Sequence, residues 1–160
     1  AGVLIKKFAG NLLEDPRLLG PAFLLTTAFL FSSRRQGAGS LSTPSSLLVG
    51  LSQAVALFPG VSRSGATLSV AKLLGIRPQD AFRFSFLIAV PAIVGAVVLE
   101  RHEISSLPPA PLAAGFFTCL VVSSASLALL RRIVLRNRLH LFGWYTLLAG
   151  IVCLVLSFGR

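Results

Sequence analysis

The sequence predicts an all-α polytopic membrane protein with about four transmembrane helices plus one re-entrant helical hairpin. Of its 160 residues, 54% are hydrophobic and 12% are charged, and the mean hydropathy is +0.84. Soluble domains carry about a quarter charged residues, so this chain belongs in lipid. Apolar runs of spanning length alternate with short polar connections, and two half-length runs flank a Gly/Pro-broken tip. We therefore expect residues 1–160 to form a single membrane domain.

The first predicted span is Leu18–Ser33, which Arg34 and Arg35 terminate. The next stretch, Gln36–Ser46, is rich in Gly, Ser and Thr and includes Pro44, a composition that predicts a flexible connecting loop.

Two short apolar segments follow, and neither is long enough to cross a bilayer. They are Leu47–Phe58 and Ala66–Ile76, and Pro59–Gly65 separates them. Half-length helices around such a tip predict a re-entrant hairpin over residues 47–76, because non-helical backbone at membrane depth must be buried in protein or line a cavity. Two ordinary amphipathic helices are the alternative, which the full spans on either side disfavour.

The remaining chain predicts three further spans with short connections. Phe82–Leu99 is a span with Pro91 as its expected kink, and a polar turn over Glu100–Pro109 follows it. Leu112–Leu130 and Leu139–Phe158 are the last two spans, and a basic loop joins them.

The charges test this layout, because cytoplasmic loops of membrane proteins are enriched in Lys and Arg. A hairpin that returns to its own side places one set of arginines on one face of the membrane: Arg34, Arg35, Arg77, Arg131, Arg132, Arg136 and Arg138. The opposite face receives a weaker set: Lys6, Lys7, Arg17, Arg101 and Arg160. We therefore assign the first face to the cytoplasm. We attribute the net charge of +10 to these basic residues between the spans, and we expect no nucleic-acid binding.

Between the two short apolar segments lies a polar stretch, Pro59–Thr67, which we call the polar segment. Its side chains are suited to binding a phosphate group. Arg63 offers a planar fork of donors, and three hydroxyl side chains surround it in sequence: Ser62, Ser64 and Thr67. Gly60 and Gly65 allow close backbone approach, and a helix that begins near Ala66 would direct its positive end at the anion. The alternative is that the hydroxyls cap this helix while Arg63 reaches toward the headgroups.

Two familiar phosphate motifs do not apply to the polar segment. Gly60 and Gly65 have the spacing of a nucleotide-binding P-loop, but Ala66 stands where the essential lysine is needed and no strand precedes. A cysteine-based phosphatase loop is also excluded, because Cys119 and Cys153 are far from Arg63 in sequence.

Residues 59–67 resemble the hallmark loop PGxSRSGxT of the membrane undecaprenyl-diphosphate phosphatases, also called bacitracin-resistance proteins, and match it in full. The resemblance extends through Gln53–Phe58 before the loop and Phe84–Pro91 after it, and the order of spans also fits. Outside residues 50–95 the likeness is mainly one of hydropathy.

The resemblance implies hydrolysis of undecaprenyl diphosphate to the monophosphate carrier in the bacterial inner membrane, for cell-wall synthesis and bacitracin resistance. It implies catalytic roles for Arg63, Ser62 and Thr67, and substrate-binding roles for Gly60, Ser64, Gly65 and Ala66. A divalent cation, Mg²⁺ or Ca²⁺, is the implied cofactor. The implied partners are a polyprenyl diphosphate lipid and the membrane, and a second copy of the chain is a further candidate.

Family members also have an earlier half, related to this one by an inverted repeat, whose Glu-rich motif and Ser/His loop supply the proposed base and metal contacts. The sequence contains no counterpart, and its five acids form no Glu-xxx-Glu arrangement inside an apolar run. We therefore expect the chain to be the C-terminal part of such an enzyme, half of its bundle, with no metal ligands of its own and little turnover alone. A lipid-phosphate or anion transporter that uses the same Arg63 clamp is the competing hypothesis.

Overall fold

The structure is a computed structural model that describes residues 16–34, 37–101 and 108–158, and most of them are helical. The helices are α1 (Leu19–Ser32), α2 (Thr43–Val55), α3 (Arg63–Leu73), α4 (Pro78–Leu87), α5 (Ala89–Leu99), α6 (Pro109–Leu135) and α7 (Phe142–Phe158). Short 3₁₀ turns, Pro16–Leu18 and Leu139–Leu141, precede α1 and α7. The predicted all-α membrane fold class is confirmed.

By length and composition, three helical stretches within the described residues can cross a membrane. They are Pro78–Leu99, Pro109–Leu135 and Leu139–Ser157, of 22, 27 and 19 residues. The first predicted span is a 14-residue apolar helix, α1, which is about 21 Å long at 1.5 Å per residue and so shorter than a hydrocarbon core of about 30 Å. It packs against α7, and Thr27 and Thr146 share a 2.9 Å hydrogen bond between their hydroxyls.

The span Pro78–Leu99 is interrupted at Ile88, between α4 and α5. We predicted the kink at Pro91, three residues later in the chain. Proline lacks the N–H that would bond the carbonyl four residues earlier and its ring crowds that carbonyl, so the distortion appears in the preceding turn. The Gln53 side chain of α2 donates a 3.1 Å hydrogen bond from Nε2 to the Ile88 carbonyl at this break.

Helices α2 and α3 form a hairpin whose two ends lie together. Gly39, before α2, accepts a 2.9 Å hydrogen bond from the amide of Arg77 and donates another to the Gly75 carbonyl, after α3. The predicted loop 36–46 was too long, because α2 already begins at Thr43. Ser42 caps it in a reciprocal capping box with Ser45, and Pro44 occupies a first-turn position that tolerates proline.

The connection between the last two spans is shorter than we predicted. Helix α6 continues to Leu135, so Arg131 and Arg132 are helical, since a basic last turn is favourable at the negative end of a helix. Similarly, α4 begins at Pro78 instead of residue 82, because Pro78 is pre-organised for a first helical turn. Residues 102–107 of the predicted polar turn lie outside the described part of the chain.

The helix ends that carry the arginine set meet at Asn137, in the turn between α6 and α7. Its side-chain amide donates a 3.0 Å hydrogen bond to the Arg34 carbonyl, and its side-chain oxygen accepts from the buried Lys72 ammonium at the end of α3. Asn137 therefore joins the ends of α1, α3 and α6. The placement of Arg34, Arg77 and the 131–138 arginines on one face of the membrane stays a prediction. We call the region around Asn137 the arginine-rich end; Arg35, Lys6, Lys7 and Arg160 lie outside the described residues.

Helix α3 is the most enclosed element, and it packs against α1, α2 and α4. Its fully buried residues include Leu68 and Ala71, which belong to one hydrophobic cluster with Val49 of α2 and Ala81 of α4. Outside this cluster, α5, α6 and α7 expose long apolar faces, as helices in lipid do. The core thus fixes α3, whose N-terminal end carries the polar segment.

Candidate functional site

The polar segment opens with a tight turn at residues 58–61. The amide of Val61 donates a 3.1 Å hydrogen bond to the Phe58 carbonyl, and the two central residues are Pro59 and Gly60. Gly60 has a φ of 88°, which side chains disfavour, and this sequence and conformation match a type II turn. A Cβ at Gly60 would also approach the Ala22 Cβ to 2.9 Å, so glycine is needed for both reasons. The turn brings the chain directly against α1.

Thr26, a buried residue of α1, holds this turn in place. Its hydroxyl lies 3.1 Å from the Gly60 carbonyl and equally far from the Ala22 carbonyl of its own helix, and it accepts a 3.0 Å hydrogen bond from the Ser62 amide. A threonine hydroxyl can both donate and accept hydrogen bonds, so this one side chain bonds both the Gly60 carbonyl and the Ser62 amide. The path of the backbone into α3 therefore depends on α1.

Ser62 is the N-cap of α3. Its hydroxyl accepts a 3.1 Å hydrogen bond from the Gly65 amide, and a Cβ at Gly65 would lie 2.9 Å from this side chain. The capping alternative raised from the sequence is therefore correct for Ser62. Helix α3 begins at Arg63, three residues before the predicted start near Ala66, because the cap places Arg63 and Ser64 in the first turn.

The first turn of α3 retains free donors. Among the described residues, no hydrogen bond satisfies the amides of Arg63 and Ser64, since Ser62 occupies only the third amide of the helix. The Arg63 side chain is partly exposed and has no ion pair within the described part of the chain. Two free amides, an arginine and the positive end of the helix dipole thus belong to the same helical turn, a combination that is typical of anion-binding sites.

The other two predicted site residues of α3 are turned away from this opening. Ala66 is fully buried, and its amide donates to the Ser62 carbonyl at 2.8 Å. Thr67 is also fully buried, and its hydroxyl bonds the Arg63 carbonyl at 2.9 Å and the Ser85 hydroxyl of α4 at 2.5 Å. In this structure the Thr67 hydroxyl fixes α3 to α4, and the predicted direct contact with substrate stays a prediction.

Ser64 lines a groove of about 450 Å³ between α3, α4 and α6, hereafter the Ser64 groove. Phe86, Val122, Leu127 and Leu130 provide its apolar walls, and Ser123 and Ser126 are the polar residues that α6 contributes. An apolar groove that begins at the first turn of α3 is suited to a molecule with a charged head and a hydrocarbon chain.

The donor set around Arg63 suits an anion and does not suit a metal ion. Hydroxyls, amides and a guanidinium present hydrogens, whereas Mg²⁺ and Ca²⁺ require carboxylate or carbonyl oxygens. Within residues 16–34, 37–101 and 108–158, no three His, Cys, Asp or Glu side chains cluster in a way that could hold a metal. We therefore derive no catalytic step through a metal from this chain.

Three supporting residues were not predicted: Thr26, Ser85 and Gln53. Each forms a hydrogen bond to a different element of the chain: Thr26 to Ser62, Ser85 to Thr67 and Gln53 to Ile88. The available signal was that they are polar residues within apolar helices, where polar side chains are costly unless they have partners. Their partners depend on tertiary packing, which a single sequence does not reveal.

Residues 1–152 match the family described as bacitracin resistance protein BacA. The chain is 37% identical over 161 residues to the undecaprenyl-diphosphatase of Korarchaeum cryptofilum, covering 97% of this chain and 60% of that protein. It is 41% identical over 160 residues to that of Protochlamydia amoebophila, covering 93% and 62%. For undecaprenyl-diphosphatase 1 of Bacillus cereus the identity is 33% over 163 residues, covering 96% and 60%. The chain thus spans about three fifths of these relatives' length, and it belongs to the bacitracin resistance protein BacA family.

Proposed function

We propose that this chain supplies the phosphate-binding part of an undecaprenyl-diphosphate phosphatase, which removes the terminal phosphate of a polyprenyl diphosphate and regenerates the monophosphate carrier. The observation that carries the proposal is the position of Ser64, which belongs both to the open first turn of α3 and to the Ser64 groove. A site for a charged head and a site for a hydrocarbon chain therefore meet at one residue. Lipid diphosphates have this combination of groups.

Charge neutralisation is the contribution that these residues make to hydrolysis. In phosphoryl transfer, negative charge spreads over the phosphate oxygens, and an arginine with preorganised amides stabilises it. Arg63 would contact the diphosphate oxygens, with the Arg63 and Ser64 amides and the Ser64 hydroxyl as further donors. Ser62 and Thr67, the other predicted catalytic residues, would position this turn through their hydrogen bonds to Gly65 and Ser85.

The described residues contain no carboxylate near Arg63 that could act as a general base. Asp80 is paired with Arg77 at 3.0 Å near the arginine-rich end, and Glu100 follows the far end of α5. We propose that the base and the divalent cation that the family resemblance implies come from outside this part of the protein. Binding without hydrolysis is accordingly the activity expected of this chain alone.

The membrane placement follows from the lengths of α2 and α3. Helix α3 has 11 residues and is about 16 Å long, so its N-terminal turn would lie near mid-depth if its other end is at a membrane surface. We propose that α2 and α3 form a re-entrant hairpin, that the arginine-rich end faces the cytoplasm, and that the protein is multi-pass in the inner membrane. A homodimer is a further proposal, for which the exposed apolar faces of α6 and α7 leave room.

Phosphate release from undecaprenyl diphosphate tests the proposed function. The assay uses purified protein in detergent with Mg²⁺ or Ca²⁺, and compares this chain with a longer polypeptide of the length of its relatives. Arg63→Ala is the test variant, and Arg83→Ala, an exposed arginine of α4, is the matched control. We expect release by the longer polypeptide, a loss of about 10³-fold in Arg63→Ala, and little change in Arg83→Ala.

A transporter remains the competing function, because the helix break at Ile88 and the half-length hairpin are also features of transporters. Binding of the lipid that depends on Arg63, with no phosphate release by the longer polypeptide, would contradict the hydrolase. Such a result would favour transport.

A further inference from the structure

A second cavity lies at the arginine-rich end, where α6 turns into α7. It has a volume of about 500 Å³, and three arginines line it: Arg132, Arg136 and Arg138. Its other walls are apolar or aromatic, and they include Leu129, Ile133, Phe142 and Tyr145. We call this cavity the arginine pocket. The 11 residues of α3 separate the arginine-rich end from the first turn of α3, so this pocket is distinct from the site around Arg63.

The turn that forms the arginine pocket is fixed by its own hydrogen bonds. The Arg138 amide donates to the Ile133 carbonyl and the Asn137 amide to the Val134 carbonyl, both at 3.0 Å, while Asn137 has a φ of 56°. This is the Schellman pattern, which ends a helix with a left-handed residue. The Asn137 side chain is also bonded to Lys72 and to the Arg34 carbonyl. The backbones of Arg136 and Arg138, on either side of Asn137, are therefore held in place.

The charge of the arginine pocket is not balanced by nearby acids. Within the described residues, neither Arg132, Arg136 nor Arg138 has an ion pair, and Asp80 is already paired with Arg77. The negative end of the α6 dipole opposes an anion here, but it amounts to about half a charge and two of its terminal carbonyls are engaged in the turn. The positive charge of three guanidinium groups is larger than this partial negative charge, so the pocket favours an anion.

The position of the arginine pocket selects the kind of anion. The spans Pro109–Leu135 and Leu139–Ser157 both have an end at this turn, so the pocket lies where hydrocarbon gives way to headgroups. Its basic side chains are at the helix ends and its apolar side chains extend along the spans. We propose that the arginine pocket binds an acidic phospholipid, with the phosphate on the arginines and an acyl chain along Leu129, Ile133 and Phe142.

Lipid retention measured by native mass spectrometry tests this proposal. The purified protein is equilibrated with equal amounts of phosphatidylglycerol and phosphatidylcholine, and bound lipid is counted. We expect preferential retention of phosphatidylglycerol, reduced about fivefold by Arg136→Gln and abolished by substituting glutamine for all three pocket arginines. The control is Arg131→Gln, which removes a neighbouring charge of α6 that does not line the pocket, and it should retain the preference.

Three outcomes would overturn the acidic-phospholipid assignment. The first is an equal loss in Arg131→Gln and Arg136→Gln, which would mean diffuse surface attraction. The second is competition by inorganic phosphate or glycerol phosphate at matched concentration, which would mean a soluble anion site. The third is the absence of any preference in the unmodified protein. Circular dichroism of each variant confirms its helical content, and the single Arg136→Gln variant suffices if the triple variant does not fold.

Discussion

Thr26 is the residue of α1 whose side chain positions the start of the polar segment. It bonds the Gly60 carbonyl and the Ser62 amide, and both groups lie in the connection that leads into the anion-binding turn. Both hydrogen bonds are partly buried, because the Thr26 side of the turn packs against α1. A valine would keep the shape and leave both groups unsatisfied, at a cost of about 1–3 kcal/mol for each buried group.

Thr26→Val should therefore weaken binding of the lipid diphosphate as well as lower the melting temperature. Thr27→Val is the matched control, because Thr27 is the adjacent residue and loses a hydrogen bond to Thr146 on the other side of α1. We expect both variants to melt at lower temperature and only Thr26→Val to lose affinity. Equal affinities in the two variants would contradict the positioning role of Thr26.

Ser62→Asp separates capping from charge at the start of α3. Aspartate is as good an N-cap as serine, so we expect the melting temperature to stay within a few degrees of the unmodified protein. Its carboxylate would stand beside the Arg63 and Ser64 amides and repel a phosphate, so binding should fall by at least tenfold. Ser62→Ala removes the cap and adds no charge, so it should lose about 1 kcal/mol of stability, unlike Ser62→Asp. Unchanged binding in Ser62→Asp would place the anion elsewhere.

Among the elements, α3 was predicted to begin three residues too late, at the end that carries the polar segment. The hydrophobic run begins at Ala66, and hydropathy alone therefore starts the helix there, whereas the Ser62 cap places Arg63 and Ser64 in the first turn. The same kind of error shortened α2, where Ser42 and Ser45 form the cap. Cap residues are polar, so a search for apolar runs assigns them to loops. The presence and order of the helices depended on apolar length and were predicted correctly.

The contact between α3 and α4 through Thr67 and Ser85 predicts a coupled pair of substitutions. The two hydroxyls lie 2.5 Å apart, and both residues are buried. Thr67→Val and Ser85→Ala should each lower the free energy of unfolding, and the double variant should lose less than the sum, with a coupling of about 1 kcal/mol. Strict additivity of the melting-curve results would mean that the hydrogen bond contributes nothing. A phosphate-binding role for Thr67 predicts instead that only Thr67→Val changes lipid affinity.

At the scale of the whole molecule, Lys72 and Asn137 join the helix ends at the arginine-rich end. Lys72 is fully buried and lies outside the three spanning stretches, and its pKa is lowered below the usual lysine value of 10.5 because burial disfavours the charged form. The burial of Lys72 was not predicted, because no hydrogen-bonding partner for it lies nearby in the apolar run Ala66–Ile76. Its partner Asn137 is 65 residues away.

The lowered pKa of Lys72 predicts that stability rises with pH. The unfolded chain binds this proton more tightly than the folded chain, so stability increases between the lowered folded pKa and the unfolded pKa of about 10.5. We expect the melting temperature to rise across the alkaline range in the unmodified protein. The rise should be smaller in Lys72→Met, which cannot titrate, and an unchanged slope in that variant would contradict the assignment.

The overall arrangement could be predicted because two independent sequence signals agreed. Apolar length gave the spans and the hairpin, and the placement of arginines required Arg34, Arg77 and the 131–138 group to share one side. The meeting of these segments at Asn137 supports that layout. The groove next to Ser64 could not be predicted, because its walls come from α3, α4 and α6, which are distant in sequence.

The most direct test of the central claim is equilibrium binding of undecaprenyl diphosphate to this chain in lipid nanodiscs, with Arg63→Ala and Arg83→Ala measured in parallel. A charge-assisted clamp contributes about 1.5–3 kcal/mol, so we predict that Arg63→Ala weakens binding by about 10- to 100-fold and Arg83→Ala leaves it unchanged. Equal affinities for the two variants would contradict an anion site at the first turn of α3.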